Sequence, residues 1–488
     1  MGQGGFQEVE QMNLFKDMVC YQEEVRDPSR MAEVLNRVIE KAFRGSAPAQ
    51  INVPRDFWTQ VIDIELPPIV RFERQGGGKD AVDRAAKLLS EAKFPVILSG
   101  AGVVIGDAID DCKKLAEKLD APVCNGYQHN DSFPGSHPLA VGPLGYNGSK
   151  AAMELISKAD VVLALGTRLN PFSTLPGYGI DYWPKDATII QVDMNPDRIG
   201  LTKKVTVGIC GDAKMVAQQI LEKLSSNAGD NGREDRKNLI HQTKSAWLQT
   251  LTSLDHEDDD PGTVWNKEAR ERDKDRMSPR QAWRAIQAGM PEDVIISSDI
   301  GNNCAIGNAY PTFEKPRKYL APGLFGPCGY GFPSILGAKI GCPDTPVIGF
   351  AGDGAFGISM NEMSSCAREE WPAITMVIFR NYQWGAEKRN SILWFDDNFV
   401  GTELDPELSY AKVANACGLK GVIANTMEET TKAIKQSCED QKKGITTFIE
   451  IILNQELGEP FRRDAMKKPV KVAGISKSDM KPQKSLVS

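Results

Sequence analysis

The sequence predicts an α/β protein built on doubly wound parallel sheets. Short apolar runs, of the kind that form buried strands, alternate with amphipathic helical patterns along most of the 488 residues. Many of these runs end at a glycine or a polar residue, as Val161–Leu165 does at Gly166. Because a helix follows each strand and returns the chain to the same edge, neighbouring strands should run parallel, with helices on both faces of the sheet.

Residues 1–74 do not form a complete unit in this prediction. A helical pattern covers residues 28–43, with Asp27 or Ser29 as the candidate N-cap, and residues 50–54 have the pattern of a short strand. One helix and one strand cannot bury their apolar faces without partners. We therefore expect residues 1–74 to be the C-terminal part of a larger domain.

Residues 75–225 have the pattern of a self-contained central α/β domain. The G-A-G at 100–102 follows a strand but lacks the third glycine of a dinucleotide fingerprint. We predict a structural role for this domain, and the alternative is that it binds a nucleotide. The glycine- and proline-rich stretch 131–148 is predicted to be a loop. The predicted helices are residues 80–92, 108–119 and 151–158, and the predicted strands are residues 95–99, 122–124, 161–165 and 189–192.

The rest of the chain is predicted to contain a linker, a second sheet domain and a tail. Residues 226–275 are polar and charged, which is typical of a linker with a solvated helix. Residues 457–488 form a basic, proline-bearing tail that packs on a neighbour or is loose. In the domain at 276–456, the predicted strands are residues 294–297, 347–351, 374–379 and 446–451, and the predicted helices are residues 409–416 and 427–438.

A strand–helix–strand unit inside this second domain carries the most chemistry. Its first strand stops at Gly352-Asp353-Gly354, and its second stops at Arg380-Asn381. Because the crossover makes the two strands parallel, Asp353 and Asn381 should both lie at carboxyl strand ends, where open α/β sheets bind ligands. One carboxylate and one amide oxygen are too few to cage a divalent cation. They suit a Mg²⁺ whose other sites are filled by phosphate oxygens and water.

Two alternatives remain open from these residues. Gly352, Gly354 and Gly357 also fit G-x-G-x-x-G, but that fingerprint requires an acidic residue at the end of the next strand. Here that strand ends in Arg380-Asn381. The other alternative is a tight glycine turn that binds no ligand.

Composition excludes several function classes. The net charge is −7, so nothing points to nucleic acid or to an anionic membrane surface. There is no run of 18 apolar residues, and we predict no membrane span. The ten cysteines are scattered without a C-x-x-C pair, which is typical of free thiols in a reducing cytosol. We therefore expect a cytoplasmic protein.

G-D-G followed about 25 residues later by an Asn pair resembles the cofactor signature of thiamine-diphosphate enzymes, with Arg380 in place of the first Asn. The resemblance implies a thiamine-diphosphate-binding fold with a central Rossmann-like domain, and a homodimer or homotetramer. It implies Mg²⁺ ligands at Asp353, the Asn381 side chain and the main-chain oxygen of Gln383. It also implies a cofactor site, with Cys328 beneath the bent cofactor unless it is a plain buried thiol. The implied cofactor-binding residues are Gly301, Asn302, Asn303, Gly326, Cys328, Gly352, Asp353, Gly354, Ala355 and Asn381.

The same resemblance predicts that one part is missing. In this family a glutamate from the front of the pyrimidine-binding domain activates the cofactor. Residues 1–74 resemble the last third of that domain, so we expect the glutamate upstream of Met1. The expectation is that the chain as written is truncated and inactive when made alone.

Within the family, four stretches resemble the sulfoacetaldehyde acetyltransferases: GFQEVEQM at 5–12, FRNYQWGAEKRN at 379–390, DNFVGTEL at 397–404 and GEPFRRDAMKKPVKVAGI at 458–475. The resemblance implies conversion of sulfoacetaldehyde and phosphate to acetyl phosphate and sulfite. Both substrates are anions, so Arg380, Lys388 and Arg389 are candidates to bind sulfonate or phosphate, the alternative being surface charge. Two other functions stay open: an acetolactate-synthase-type carboligase, and a non-catalytic remnant that only binds the cofactor.

Overall fold

The computed structural model describes residues 2–68, 73–253, 273–323, 325–394 and 400–456. The chain divides into two compact units. The first comprises Met1–Gln75 with Asn195–Asp197, and the second comprises Gly76–Met194 with Arg198–Ser488. Within the described ranges, no helix is long and apolar enough to cross a membrane.

The first unit contains a two-stranded parallel sheet of β1 (Tyr21–Glu24) and β2 (Ala49–Asn52), joined by the helix Met31–Gly45. The Asp27 side chain accepts a hydrogen bond from the Ser29 N–H, so Asp27 caps the 3₁₀ turn that leads into this helix. A small core of Val25, Val34 and Val38 holds the unit together. Its other short elements are the helix Gln11–Phe15 and the 3₁₀ helices Pro28–Arg30 and Arg55–Thr59.

A six-stranded sheet in the second unit corresponds to the predicted central domain. All neighbouring strands pair in parallel, in the order β5-β4-β3-β6-β7-β8. The strands are β3 (Pro95–Ser99), β4 (Val123–Asn125), β5 (Ala140–Pro143), β6 (Val161–Leu165), β7 (Thr188–Asp193) and β8 (Val207–Cys210). The helices are Lys79–Glu91, Ala101–Ile105, Ile109–Leu119, Lys150–Ile156, Ala213–Lys223 and Arg233–Ser253.

The second six-stranded sheet is also parallel throughout, in the order β10-β9-β11-β12-β14-β13. The strands are β9 (Ile295–Ser298), β10 (Tyr319–Leu320), β11 (Val347–Gly352), β12 (Thr375–Arg380), β13 (Lys420–Ala424) and β14 (Thr447–Ile452). The helices are Pro279–Gly289, Asn302–Ile306, Gly331–Gly341, Asp353–Ser359, Met363–Cys366, Gly385–Trp394, Tyr410–Ala416 and Met427–Gln441. The predicted class of doubly wound parallel sheets is confirmed.

The strand order of this second sheet indicates where a ligand-binding crevice should lie. β10 lies on one side of β9 and β11 on the other, so the chain changes direction across the sheet between β9 and β11. In open α/β sheets ligands bind at such a switch point, outside the carboxyl ends of the strands. In the register of β11 and β12, Gly352 pairs with Phe379, so Asp353 and Asn381 follow the ends of adjacent strands.

Three predictions of secondary structure were wrong. β5 lies inside the stretch predicted to be a loop, because a short edge strand tolerates a proline and a glycine that would disrupt a central one. Four other strands, β1, β8, β10 and β13, were missed, and each is a short strand at a sheet edge. The helix Arg233–Ser253 is not simply solvated, because Arg236, Ile240 and Trp247 are buried. The acidic run at 257–260 and the tail at 457–488 lie outside the described residues.

Candidate functional site

A cavity of about 200 Å³ opens at the carboxyl ends of β9, β11 and β12. It includes every residue predicted to bind cofactor or metal, although these come from four separate stretches of the chain. Its lining residues are Ile300, Gly301, Asn302, Asn303, Cys304, Gly326, Cys328, Gly352, Asp353, Gly354, Ala355, Asn381, Gln383, Trp384, Gly385, Ala386 and Glu387.

Asp353 is the fully buried carboxylate of this cavity. Its Oδ2 accepts hydrogen bonds from Arg380 Nη1 at 3.0 Å and from the Tyr382 N–H at 2.7 Å, and its Oδ1 accepts one from the Gly354 N–H at 2.9 Å. Burial raises the pKa of the Asp353 carboxyl to about 6, while the Arg380 guanidinium and these N–H groups act in the opposite direction. The carboxyl is therefore mostly ionised at neutral pH, as a metal ligand must be.

The segment from Asn381 to Gln383 is fixed by a glutamine that follows β14. Gln455 Nε2 donates to the main-chain oxygen of Asn381 at 3.2 Å, and Gln383 Nε2 donates to the main-chain oxygen of Gln455 at 3.2 Å. Tyr382 between them has a φ of 62°, an unusual conformation for a residue with a side chain. This turn sends the Tyr382 N–H to Asp353 and joins the two strand ends into one site.

Three buried polar atoms of the cavity residues have no hydrogen-bond partner among the described residues. They are Asn302 Nδ2, Asn303 Oδ1 and Gln383 Oε1. Unpaired buried polar atoms cost free energy, so their presence indicates a polar ligand. No group of three or more His, Cys, Asp or Glu side chains in the described ranges could hold a metal alone. The residues present therefore fit a Mg²⁺ that completes its shell with diphosphate and water.

The glycine at 354 has a packing role that the sequence did not reveal. A Cβ built there would lie 2.8 Å from the Trp384 ring, so only glycine lets this ring pack against the start of the helix Asp353–Ser359. Gly301 has a φ of 117°, a conformation that side-chain-bearing residues rarely adopt. Both glycines shape the cavity wall, as the glycine-rich pattern predicted. Gly354 is required for close packing, whereas Gly301 is required for its backbone conformation.

The cations predicted to bind substrate do not line the cavity, which corrects their predicted placement. Arg380 is fully buried, and its guanidinium forms an ion pair with Asp353. Lys388 makes an ion pair with Glu403 and hydrogen bonds to Gln455 Oε1 at 3.4 Å.

Arg389 is also buried, and its Nη1 donates to the Tyr146 hydroxyl. The Tyr146 hydroxyl in turn lies 3.4 Å from Asn302 Oδ1. Arg389 is thus linked through Tyr146 to Asn302, which lines the cavity, but Arg389 itself is not among the lining residues. The alternative of a solvated surface charge does not describe Arg380 or Arg389.

Cys328 lies at the cavity wall and is exposed, so the alternative of a plain buried thiol is wrong. Partial desolvation nevertheless raises the pKa of this thiol, and the charges of Asp299 and Glu387 act in the same direction, so its neutral form is favoured. A neutral thiol is compatible with the predicted apolar prop. Its role beneath a cofactor remains a prediction.

Sequence reasoning missed several lining residues. Trp384, Gly385, Ala386 and Glu387 follow directly after Gln383 and begin the helix Gly385–Trp394. Their position in the sequence could have identified them, because residues that directly follow a strand end at a switch point line the ligand crevice. Ile300 and Cys304 flank the predicted Gly301–Asn303 stretch in the same way.

Two family models match the chain. The model described as the thiamine pyrophosphate enzyme central domain matches residues 82–220, and the model described as the C-terminal TPP binding domain matches residues 299–451. A crystal structure of benzoylformate decarboxylase from Polynucleobacter necessarius superposes with a TM-score of 0.72 at 20% identity, over 95% of this chain and 79% of that one. This structural likeness supports the fold alone.

Curated relatives resemble nearly the whole chain. A probable sulfoacetaldehyde acetyltransferase of Rhizobium meliloti is 78% identical over 486 residues, which cover 100% of this chain and 82% of the relative. A sulfoacetaldehyde acetyltransferase of Roseovarius nubinhibens is 75% identical, over 99% of this chain and 80% of the relative. A probable acetolactate synthase large subunit of Methanococcus aeolicus is 27% identical, over 90% of this chain and 73% of the relative.

Proposed function

The chain belongs to the sulfoacetaldehyde acetyltransferase family of thiamine-diphosphate-dependent enzymes, and we propose that it converts sulfoacetaldehyde and phosphate to acetyl phosphate and sulfite. The observation that supports this most is the cavity that Asp353, Asn381 and Gln383 share at the ends of adjacent parallel strands. The carboligase alternative is supported only by relatives of much lower identity.

The metal would be held by the Asp353 carboxylate, the Asn381 side chain and the main-chain oxygen of Gln383. The two side chains offer hard oxygen atoms, which Mg²⁺ prefers. Asn302 Nδ2 is a donor without a described partner, and it suits an acceptor such as a phosphate oxygen. The diphosphate would therefore lie between the end of β9 and the end of β11.

When bound, thiamine diphosphate supplies a carbon nucleophile that also stores the electron pair released during bond cleavage. The chain must then exclude water, orient the aldehyde and deliver a proton. Overall, the aldehyde C–H bond breaks, its hydrogen leaves as a proton, and its electron pair stays on the carbon skeleton. The carbon–sulfur bond of sulfoacetaldehyde breaks, sulfite leaves with the electron pair of that bond, and the methylene carbon uses the retained pair to bind one proton and become a methyl group. The carbonyl carbon forms a new bond to a phosphate oxygen.

We propose Glu387 as the source of the proton for the methyl group. Among the cavity-lining residues only Asp353 and Glu387 carry carboxyl groups, and Asp353 is assigned to the metal. Glu387 lies in the first turn of the helix Gly385–Trp394 and is exposed, so water can reach its carboxyl group.

We also propose that the protein works in the cytoplasm as a homodimer or homotetramer. Phe325 and Ile358 support an oligomer, because both are large apolar side chains that are exposed in the cofactor-binding domain. Light scattering of the purified protein measures the number of subunits, and a strictly monomeric active protein would contradict this part of the proposal.

Product analysis tests the proposed reaction. The purified protein is supplied with sulfoacetaldehyde, phosphate, thiamine diphosphate and Mg²⁺, and acetyl phosphate and sulfite are measured. Equal amounts of the two products are expected. Carbon dioxide and a hydroxyketone from pyruvate, with no sulfite from sulfoacetaldehyde, would establish the carboligase instead.

A further inference from the structure

Arg380 has the surroundings of a structural cation behind the metal site. Its Nη1 donates to Asp353 Oδ2 at 3.0 Å, and its Nη2 donates to the carbonyl oxygens of Asp405 and of Leu408, the latter at 2.9 Å. Its Nε lies 3.6 Å from Glu450 Oε1. We propose that Arg380 is a positioning residue that fixes the Asp353 carboxylate for Mg²⁺, an inference that rests on the proposed function.

The two oxygens of Asp353 are in different environments. Oδ2 accepts two hydrogen bonds, from Arg380 and from the Tyr382 N–H, whereas Oδ1 accepts one, from the adjacent Gly354 N–H. Two donors on Oδ2 fix the rotation of the carboxylate and leave more lone-pair capacity on Oδ1. Groups that orient a metal ligand in this way raise metal affinity by holding the ligand in its binding geometry.

Aromatic rings hold the guanidinium itself in place. The Arg380 guanidinium carbon lies 4.2 Å from the centre of the Tyr382 ring and 5.5 Å from that of Tyr410. The Tyr410 hydroxyl donates to the main-chain oxygen of Asp353 at 2.9 Å. A planar guanidinium can stack on such rings while it bonds to several acceptors, which an ammonium group cannot do. The arrangement is therefore specific for arginine.

A direct role for Arg380 in substrate binding conflicts with this geometry. The side chain is fully buried and does not line the cavity. Its three guanidinium nitrogens face Asp353, Glu450 and two main-chain oxygens. Moving it toward an anion would leave both buried carboxylates without their cation, which is strongly unfavourable for a buried ion pair.

The test is Mg²⁺-dependent binding of thiamine diphosphate to Arg380→Gln and Arg380→Lys, without substrate. Binding is followed by quenching of tryptophan fluorescence, to which Trp384 at the cavity wall contributes. The Mg²⁺ concentration for half-maximal binding should rise about 10–100-fold in Arg380→Gln. Arg380→Lys should show a smaller rise, because it keeps the charge but not the planar fork.

Arg236→Gln is the matched control. It also removes a fully buried arginine, but one that binds only main-chain oxygens of the central domain. It should lower the melting temperature and leave the Mg²⁺ dependence unchanged. If Arg380→Gln does not fold, the lysine variant decides the question by the same titration.

Wild-type Mg²⁺ dependence in a folded Arg380 variant, together with a raised KM for sulfoacetaldehyde or phosphate, would overturn the inference and restore a substrate-binding role. Such a result would leave the proposed function intact. If the unchanged protein itself failed to bind the cofactor with Mg²⁺, the proposed function would fail first.

Discussion

At the scale of single residues, the buried charged side chains of the site are paired with groups of opposite charge. Asp353 is buried, and its ionised form is stabilised by Arg380 and by two main-chain N–H groups. Arg380 is buried as well, with Glu450 as a second carboxylate. A buried ion pair of this kind is costly to break from either side. A substitution of either Asp353 or Arg380 should therefore disturb the other residue as well.

Glu387→Gln tests proton delivery at this scale. Acetyl phosphate formation should fall about 100-fold, because a positioned acid contributes at least that much. Sulfite release in the first turnover should persist, because the carbon–sulfur bond breaks before the methyl group is completed. Rapid quenching with separate sulfite and acetyl phosphate measurements distinguishes the two steps.

Glu369→Gln, a substitution of an exposed glutamate that is not among the cavity-lining residues, is the control and should leave both rates unchanged. Parallel loss of sulfite and acetyl phosphate in Glu387→Gln would mean that Glu387 acts before bond cleavage. That result would refute its role as the methyl proton source.

Residue types and spacing were enough to predict Asp353 and Asn381 together, because strand ends next to each other in a parallel sheet are brought together by topology. Gln383 was implied only by the resemblance to thiamine-diphosphate enzymes. Residue types and spacing were not enough for Arg380. An arginine beside a metal ligand can face the cavity or the opposite side, and that direction depends on Glu450 and the 405–408 segment, which are distant in sequence. Lys388 and Arg389 likewise contact residues that are distant in sequence, Glu403 and Tyr146 respectively.

At the scale of elements, the helix Arg233–Ser253 shows how one charged side chain can hold a helix on a domain. The Arg236 guanidinium donates to five main-chain oxygens, those of Lys93, Leu119, Asp120, Gly229 and Asn231. A polar, charged segment predicts a solvated helix, and only the fold reveals this set of carbonyl acceptors. Their convergence explains why the expected linker includes a packed helix.

Arg236→Gln should therefore destabilise the central domain. The substitution removes several hydrogen bonds and leaves buried carbonyl oxygens unpaired, which costs about 1–3 kcal/mol for each group. We therefore expect the free energy of unfolding to fall by about 3 kcal/mol or more. Urea denaturation measures it. Arg233→Gln is the control, because Arg233 is partly exposed and its ion pairs with Asp120 and Asp230 are worth less. Equal effects of the two substitutions would contradict this explanation.

At the scale of the second unit, two adjacent residues connect its two sheets: Asn130, just before the stretch predicted to be a loop, and Asp131, the first residue of that stretch. Asn130 Nδ2 donates to the main-chain oxygens of Asn308 at 2.8 Å and Pro311 at 2.9 Å. Asp131 Oδ2 accepts from the Lys318 N–H at 2.9 Å. Composition predicted two sheet domains with their order along the chain. It could not predict these contacts, because each joins residues more than 170 positions apart.

Asn130→Ala tests this connection. It leaves two carbonyl oxygens without their donor, and a loss of about 1–3 kcal/mol is expected from such a change. In calorimetry, we expect the second unit of the wild type to unfold in a single transition and that of Asn130→Ala to unfold in two. Asn361→Ala, at an exposed position, should leave the transition unchanged. An unchanged transition in Asn130→Ala would show that other contacts hold the sheets together.

The central claim is that Asp353, Asn381 and Gln383 form a Mg²⁺-diphosphate site, and calorimetric titration with thiamine diphosphate tests it most directly. Binding should be measurable in Mg²⁺, should disappear in EDTA, and should weaken by about 100-fold or more in Asp353→Asn, since one metal ligand loses its charge. Equally tight binding in Mg²⁺ and in EDTA, or in the wild type and Asp353→Asn, would contradict the account.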